Sequence, residues 1–292
     1  MTSIIIDGRE IPVEPEKTVL ETARFAGIAI PTLCYHHALG PYGTCRLCIV
    51  EAEGPSLRHT ITTSCNLMPA DGLIVETATL RIQAMRRTIL ELMLSGTKPS
   101  PELRSRAAEA GIHKKKFSLK SRNSSINGIN TDPCILCGLC VRVCRDTIRA
   151  NALDFSVSGT NQHKVAEAVV LMKERCIGCG TCAAVCPVGA LRLDDRGAVR
   201  RIILYGRTAN RLPLVRCDLC NRPFTTEQFI LSVLMRLSRD DDTLRTGIGY
   251  VCPDCGRNRF ATALTGQFPP APNQIIYQDI HENNSGGTGT LR

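Results

Sequence analysis

Sixteen cysteines fall into four sets of four along the 292-residue chain, and this grouping constrains the fold more than any other feature. Cys34, Cys45, Cys48 and Cys65 are spaced C-x10-C-x2-C-x16-C. Cys134, Cys137, Cys140 and Cys144 read C-x2-C-x2-C-x3-C, and Cys176, Cys179, Cys182 and Cys186 repeat that run after an interval of 31 residues. Cys217, Cys220, Cys252 and Cys255 read C-x2-C-x31-C-x2-C. Two thiols three positions apart reach one centre from a single turn of chain, so each set predicts a small module folded around metal. Disulfides are the competing use of so many cysteines. The opening MTSIIIDGRE has no basic-then-apolar export signal, and no cysteine is left outside a ligand-like set, so metal binding is the better reading.

Composition agrees with small stapled modules. There is no Trp and only 4% of residues are aromatic, which leaves few large side chains to fill one big core. No run approaches the roughly 18 to 20 apolar residues of a membrane helix, so the expectation is a soluble, cytoplasmic protein with no direct membrane span. The formal charge of +9 invites a nucleic-acid reading. Four metal-loaded tetrathiolate sites would each carry about −2, which brings the loaded chain to about +1 and weakens that reading.

Residues Ser3 to Val13 alternate around Asp7-Gly8 and predict a hairpin, followed by a helix over Thr18 to Ala26 ended by Gly27. Strands over Arg46–Glu51, His59–Thr62 and Leu73–Glu76 would complete a small mixed sheet. Leu80, Ile82, Met85, Ile89, Leu90, Met93 and Leu94 form the apolar face of a helix over Thr77–Leu94. A second helix starts at Ser100-Pro101-Glu102 and stops at Gly111. His113 to Asn130 is basic and then Ser/Asn/Gly-rich, an exposed linker in which Lys114–Lys116 is a solvated run. Phe229, Ile230, Val233, Leu234 and Leu237 place a helix within 225–237, between the last two cysteine pairs. The Pro-, Asn- and Gly-rich end reads as an extended tail whose patch Ile275-Ile276-Tyr277 is available for docking. The expected divisions are 1–76, a helical bridge and linker 77–130, 131–200, 201–264 and a tail 265–292.

Gly40-Pro41-Tyr42-Gly43-Thr44 supplies small residues just before Cys45 and Cys48, so backbone N–H groups can approach inorganic sulfide, which suits a [2Fe–2S] cluster. With IPTLCYH ahead of GTCRLCIVEAEG, residues 1 to about 95 resemble the N-terminal ferredoxin-like domain shared by the large iron–sulfur subunit of respiratory complex I, NAD-linked hydrogenases and related formate dehydrogenases. That resemblance implies a β-grasp [2Fe–2S] fold. It also implies a following segment with one His and three Cys that holds another [4Fe–4S] cluster, whereas Ser95 to Ile112 here contains neither Cys nor His. The two internal runs, the second followed by Pro187, resemble bacterial two-cluster ferredoxins, in which the fourth Cys of each run ligates the other cluster. This implies Cys134, Cys137, Cys140 and Cys186 around a first [4Fe–4S] cluster, and Cys144, Cys176, Cys179 and Cys182 around a second. Two zinc sites are the alternative for these eight thiols. Arg145 stands where the first run usually has Pro, yet CGLCVRVCR is similar to the complex I and hydrogenase version.

Four thiolates at Cys217, Cys220, Cys252 and Cys255 make a closed tetrahedral site for structural zinc, with a rubredoxin-like iron as the rival. The segment resembles the zinc-binding ribbon that ends the ferredoxin-like subunits of formate hydrogenlyase and membrane-bound hydrogenases. The whole is therefore expected to be α+β: a β-grasp [2Fe–2S] domain, a two-cluster [4Fe–4S] ferredoxin-like domain and a small four-Cys ribbon.

Neither a strand-linked G-x-G-x-x-G nor a P-loop is present, so no nucleotide or flavin site and no substrate site is expected on this chain. His36 and His37 follow Cys34 and serve either to structure the loop or to tune the cluster. Module order resembles the diaphorase subunit of NAD(P)-linked hydrogenases. The resemblance implies a non-catalytic electron conduit between a flavin-containing NAD(P)H-reactive subunit and a hydrogenase, a dehydrogenase catalytic subunit or a soluble ferredoxin. Two alternatives stand beside it: a stand-alone polyferredoxin carrier, and a zinc-ribbon nucleic-acid-binding redox sensor. Against the latter, the Lys and Arg residues lack interleaved aromatics.

Overall fold

The computed structural model describes residues 2–55, 57–96, 98–112, 117, 133–158, 165–237 and 250–265. It divides into two units, residues 1–196 with 200–212 and residues 197–199 with 213–292. Most of the linker expected over 113–130 and the tail from 266 onward lie outside the described residues.

The first unit opens with strands β1 (Ser3–Ile6) and β2 (Arg9–Pro12), paired antiparallel. Asp7 (φ 48°) and Gly8 (φ 76°) are both left-handed, as a tight turn matched to strand twist requires. Helix α1 (Val19–Phe25) begins with a capping box in which Thr18 and Glu21 each satisfy the other's backbone N–H. Strands β3 (Ile49–Gly54), β4 (Leu57–Thr63) and β5 (Ile74–Glu76) complete a mixed sheet of order β2-β1-β5-β3-β4, with β1 and β5 parallel. Ile4, Ile6, Val19, Leu20, Val50 and Val75 are buried between sheet and helix. This is the ferredoxin-like arrangement expected of the N-terminal module.

Several strand and helix ends differ from expectation by one to three residues, and two starts have a clear cause. Strand β3 starts at Ile49 rather than Arg46, because Arg46 is left-handed (φ 59°) and the Cys45–Cys48 stretch is a turn. Helix α2 spans Leu80–Gly96 rather than starting at Thr77. The Asp7 carboxylate accepts the backbone N–H and the hydroxyl of Thr77, each at 2.6 Å, and holds that residue outside the helix. Thr79 caps it instead, accepting from Ile82 N at 3.2 Å. The buried apolar residues are Ile82, Leu90 and Leu94, joined by Glu91 and Ser95, whereas Leu80, at 87% exposure, and Met85 point away. Helix α3 (Pro101–Glu109) follows with Ser100 as its N-cap, as expected.

The next segment carries helix α4 (Leu139–Arg142), which runs into a π-helical turn over Val143–Thr147, and helix α5 (Thr181–Ala184). Gly138 and Gly180, which cap these helices, are both left-handed, so the duplicated sequence yields duplicated backbone. Between them lies a hairpin of β6 (Leu153–Ser158) and β7 (Val165–Leu171), and β8 (Leu191–Arg196), β9 (Val199–Leu204) and β10 (Arg207–Arg216) follow. None of these strands was expected from the cysteine pattern.

In the second unit the end of β10 pairs antiparallel with β11 (Pro223–Thr226). Helix α6 spans Glu227–Leu237, two residues later than expected, because Thr225 and Thr226 belong to β11 and buried Thr226 accepts from Phe229 N. Val233, placed on its packed face by periodicity, is exposed. A further helix, α7 (Pro253–Thr265), was not anticipated. Among the described residues, no helix is long and apolar enough to cross a membrane.

Candidate iron–sulfur and metal centres

Cys34, Cys45, Cys48 and Cys65 are all buried, on the loop after α1, the turn before β3 and the loop just after β4. They approach as two pairs. Cys45 N donates to Cys34 Sγ at 3.2 Å and Leu33 N donates to Cys45 Sγ at 3.4 Å. A hydrogen bond from the Cys34 side chain, more than backbone N–H contacts, brings the Cys45 thiol down to about 6. Cys65 does the same for Cys48, at about 7, while Cys34 and Cys65 are pushed up by these partners. Each pair thus sets a thiolate beside a protonated thiol amid backbone donors, and an iron pair bridged by sulfide would take up the thiolates and displace the two remaining protons. Ser64 holds the site closed, donating from both N and Oγ to Cys48 O at 2.9 and 2.8 Å. Gly43 is left-handed, and a Cβ there would lie 2.8 Å from Asn66 Nδ2, so the approach to Cys45 requires Gly.

Arg86 on α2 was missed by sequence reasoning because its charge breaks no pattern on a polar helix face. It reaches back to donate to Leu47 O at 2.9 Å and Ile49 O at 2.7 Å, bracketing Cys48. Burial lowers its pKa. His36 structures the loop, its Nδ1 accepting from Ala38 N at 3.3 Å and its ring stacked on His37.

The eight cysteines of the repeated runs separate into two recesses. Cys134, Cys137, Cys140 and Cys186 line one with Val188, Leu204 and Tyr205. Cys144, Cys176, Cys179 and Cys182 line another with Ile148, Leu171 and Ile202. Each recess takes three thiols from one run and the last thiol of the other. Burial against these apolar walls raises Cys140, Cys144 and Cys176, and pushes Cys137 and Cys182 to about 12, so the apoprotein holds these five protonated and cluster assembly must displace their protons. Tyr205 was also unread in the sequence. It is left-handed (φ 54°), and its hydroxyl donates to Val169 O at 3.1 Å and accepts Val169 N at 2.7 Å, which seals the free edge of β7 beside the first recess.

Cys217, Cys220, Cys252 and Cys255 bring their sulfurs within 4.8 Å of one another. Among the described residues, this is the one group of at least three Cys, His, Asp or Glu side chains so closely gathered. Sulfurs on a single ion with bonds of ~2.3 Å stand about 3.8 Å apart, and Cys220 and Cys252 are at 3.8 Å. The tight quartet thus suits one ion, whereas the wider recesses suit polynuclear clusters. Burial raises Cys217, but backbone N–H groups of Cys252, Cys220 and Leu219 outweigh it and bring the thiol to about 6. Arg222 donates to Cys252 Sγ at 3.7 Å and pairs with Asp254.

A 2Fe-2S iron–sulfur cluster binding domain matches residues 1–79, and a 4Fe-4S dicluster domain matches residues 133–190. The alpha subunit of the NADPH-Fe(3+) oxidoreductase of Geobacter sulfurreducens is 32% identical over 206 residues, 65% of this chain and 24% of the relative. A subunit of an NADH-quinone oxidoreductase of Rhizobium meliloti is 33% identical over 211 residues, with the same coverage. The NADP-reducing hydrogenase subunit HndD of Solidesulfovibrio fructosivorans is 32% identical over 216 residues, 65% of this chain and 36% of the relative. The chain thus spans about a quarter to a third of the length of these relatives. A chain in the crystal structure of an NAD+-reducing [NiFe]-hydrogenase superposes with a TM-score of 0.52 at 30% identity, over 64% of this chain and 85% of that one.

Proposed function

We propose that this chain, which belongs to the family of iron–sulfur subunits shared by NAD(P)-linked hydrogenases and NAD(P)H oxidoreductases, relays single electrons through one [2Fe–2S] and two [4Fe–4S] clusters. The observation that carries the reading is the crossed lining of the two recesses beside a fully buried cysteine quartet. Crossed ligands tie two clusters to one core, so they stay close enough for rapid hopping. Cys34, Cys45, Cys48 and Cys65 would hold the [2Fe–2S] cluster. The first [4Fe–4S] cluster would take Cys134, Cys137, Cys140 and Cys186, and the second Cys144, Cys176, Cys179 and Cys182.

These clusters supply one-electron redox steps, and the chain's residues exclude water and direct N–H groups at sulfur. A nicotinamide exchanges an electron pair, so a partner carrying flavin would have to split that pair before this chain accepts it. The other partner would be a hydrogenase, a dehydrogenase catalytic subunit or a ferredoxin, in the cytoplasm. The C-terminal quartet would form a ribbon around one structural zinc, supported by its sulfur spacing and its lack of an open position.

Anaerobic purification from the native host tests this. The expected chain contains about ten iron, about ten acid-labile sulfide and one zinc, and copurifies with a flavoprotein. Eleven iron without zinc would make the last site rubredoxin-like. Recovery of the loaded chain alone would favour a free carrier. Substantially less iron after anaerobic handling would refute the relay.

A further inference from the structure

We infer that Arg142, Tyr42 and Gly138 form a clamp that sets the gap between the [2Fe–2S] site and the first four-cysteine recess. The inference rests on the relay reading, and Arg142 and Tyr42 act as positioning residues. Arg142 lies on α4 between Cys140 and Cys144 and is buried. Its guanidinium donates to the carbonyls of Leu39 and Gly40 on the loop that leads to Cys45, the latter at 3.4 Å. The same guanidinium lies over the Tyr42 ring, 4.8 Å from its centroid. Also against that ring is Gly138, the residue after Cys137. A Cβ on Gly138 would fall 2.9 Å from Tyr42 Cε1 and 3.5 Å from Phe155 Cζ.

A buried guanidinium is costly unless its donors are satisfied, and here they are satisfied by the loop of the neighbouring module. Charge-assisted bonds with an aromatic face make this a defined contact, since five donors in a rigid fork fix direction as well as distance. The contact sits where the two modules share one core: Cys34, Cys45 and Leu47 pack with Cys137, Leu139 and Val188. Leu103 and Ala107 of α3 fill the same core, and Ser95–Ile112 offers no Cys or His. No Cys or His from that segment supplies an intermediate centre, so an electron passing directly between the two sites crosses the gap in one step. Tunnelling falls exponentially with distance, which makes the contact that fixes the separation control the rate.

The test uses fully loaded protein with both the [2Fe–2S] and the [4Fe–4S] clusters reduced. Wild type should show magnetic broadening between the two signals. Tyr42→Leu changes no charge, so it should retain its iron and all three midpoint potentials, lose much of that broadening and speed amide exchange over 39–42. Tyr42→Phe keeps the ring and should behave as wild type. Arg142→Gln, the second variant, should reproduce both the lost broadening and the faster exchange. Unchanged broadening in both Tyr42→Leu and Arg142→Gln overturns the clamp. So does a wild type with full iron and no broadening, which leaves the relay reading intact. Failure of wild type to hold clusters would instead overturn the relay, and the clamp with it.

Discussion

Replacing Gly180 by Ala tests how tightly the second recess is built. Gly180 stands between Cys179 and Cys182 at φ +81°, and an added Cβ would overlap Leu193 Cδ1 and lie 3.5 Å from Leu193 Cγ. Holding Ala in the left-handed region costs about 1–2 kcal/mol. Driving Leu193 off its rotamer adds about 0.5–1.5 kcal/mol. The sum, about 1.5–3.5 kcal/mol, would raise the population of a locally opened site roughly 10- to 300-fold. Gly206, in the β9–β10 turn, is the control: its φ is +75° and a Cβ there meets nothing within 4 Å, so Gly206→Ala carries only the backbone cost. The assay is anaerobic transfer of iron to a chelator, with electron paramagnetic resonance identifying the [4Fe–4S] signal lost first. Gly180→Ala should release that cluster about 2- to 12-fold faster than Gly206→Ala. Equal rates would refute the claim that close packing against Leu193 holds the site.

Three further outcomes are expected. Arg86→Met leaves Leu47 O and Ile49 O without their charged donor, which should cost about 2–4 kcal/mol and bring forward thermal loss of the [2Fe–2S] absorbance. It also removes a cation beside Cys48, so the midpoint potential of that cluster should fall; a titration showing neither change would count against the role given to Arg86. Cys252→Ser should remove the single ion of the second unit and leave about ten iron in place, and metal analysis showing iron loss as well would contradict the separate roles of the two kinds of site. For that ion, chelator competition should show an affinity that weakens as pH falls, because protons compete for thiolates. Burial pushes Cys255 up to about 12, so it must release a proton throughout the neutral range, whereas Cys217, lowered to about 6, starts to compete only near and below that pH. The slope should therefore steepen by about one proton below pH 6, and a constant slope would be the contrary result.

Cysteine spacing made the metal modules legible because ligand geometry is local: a C-x2-C pair forces one turn whatever surrounds it. The Asp7-Gly8 hairpin, the Thr18 cap and the Ser100-Pro101 helix start were legible for the same reason, since each is decided within four residues. Element ends were lost where a distant group intervened. Thr77 reads as helix until Asp7, 70 residues earlier, takes its N–H and hydroxyl. Thr225 reads as helix until β10 claims it as a strand partner. Strands β6 to β9 were passed over because the cysteine pattern around them carries no sheet period.

What the sequence determined by itself is the presence of a 2Fe-2S module and a 4Fe-4S module, their order and the resemblance to hydrogenase and complex I subunits, all carried by residue types at fixed spacings. Only the tertiary structure decided that Arg86, Arg142 and Tyr205 join the sites they serve. Each of those residues acts from at least 36 positions away in the chain, on a backbone group whose position exists only after the modules have packed.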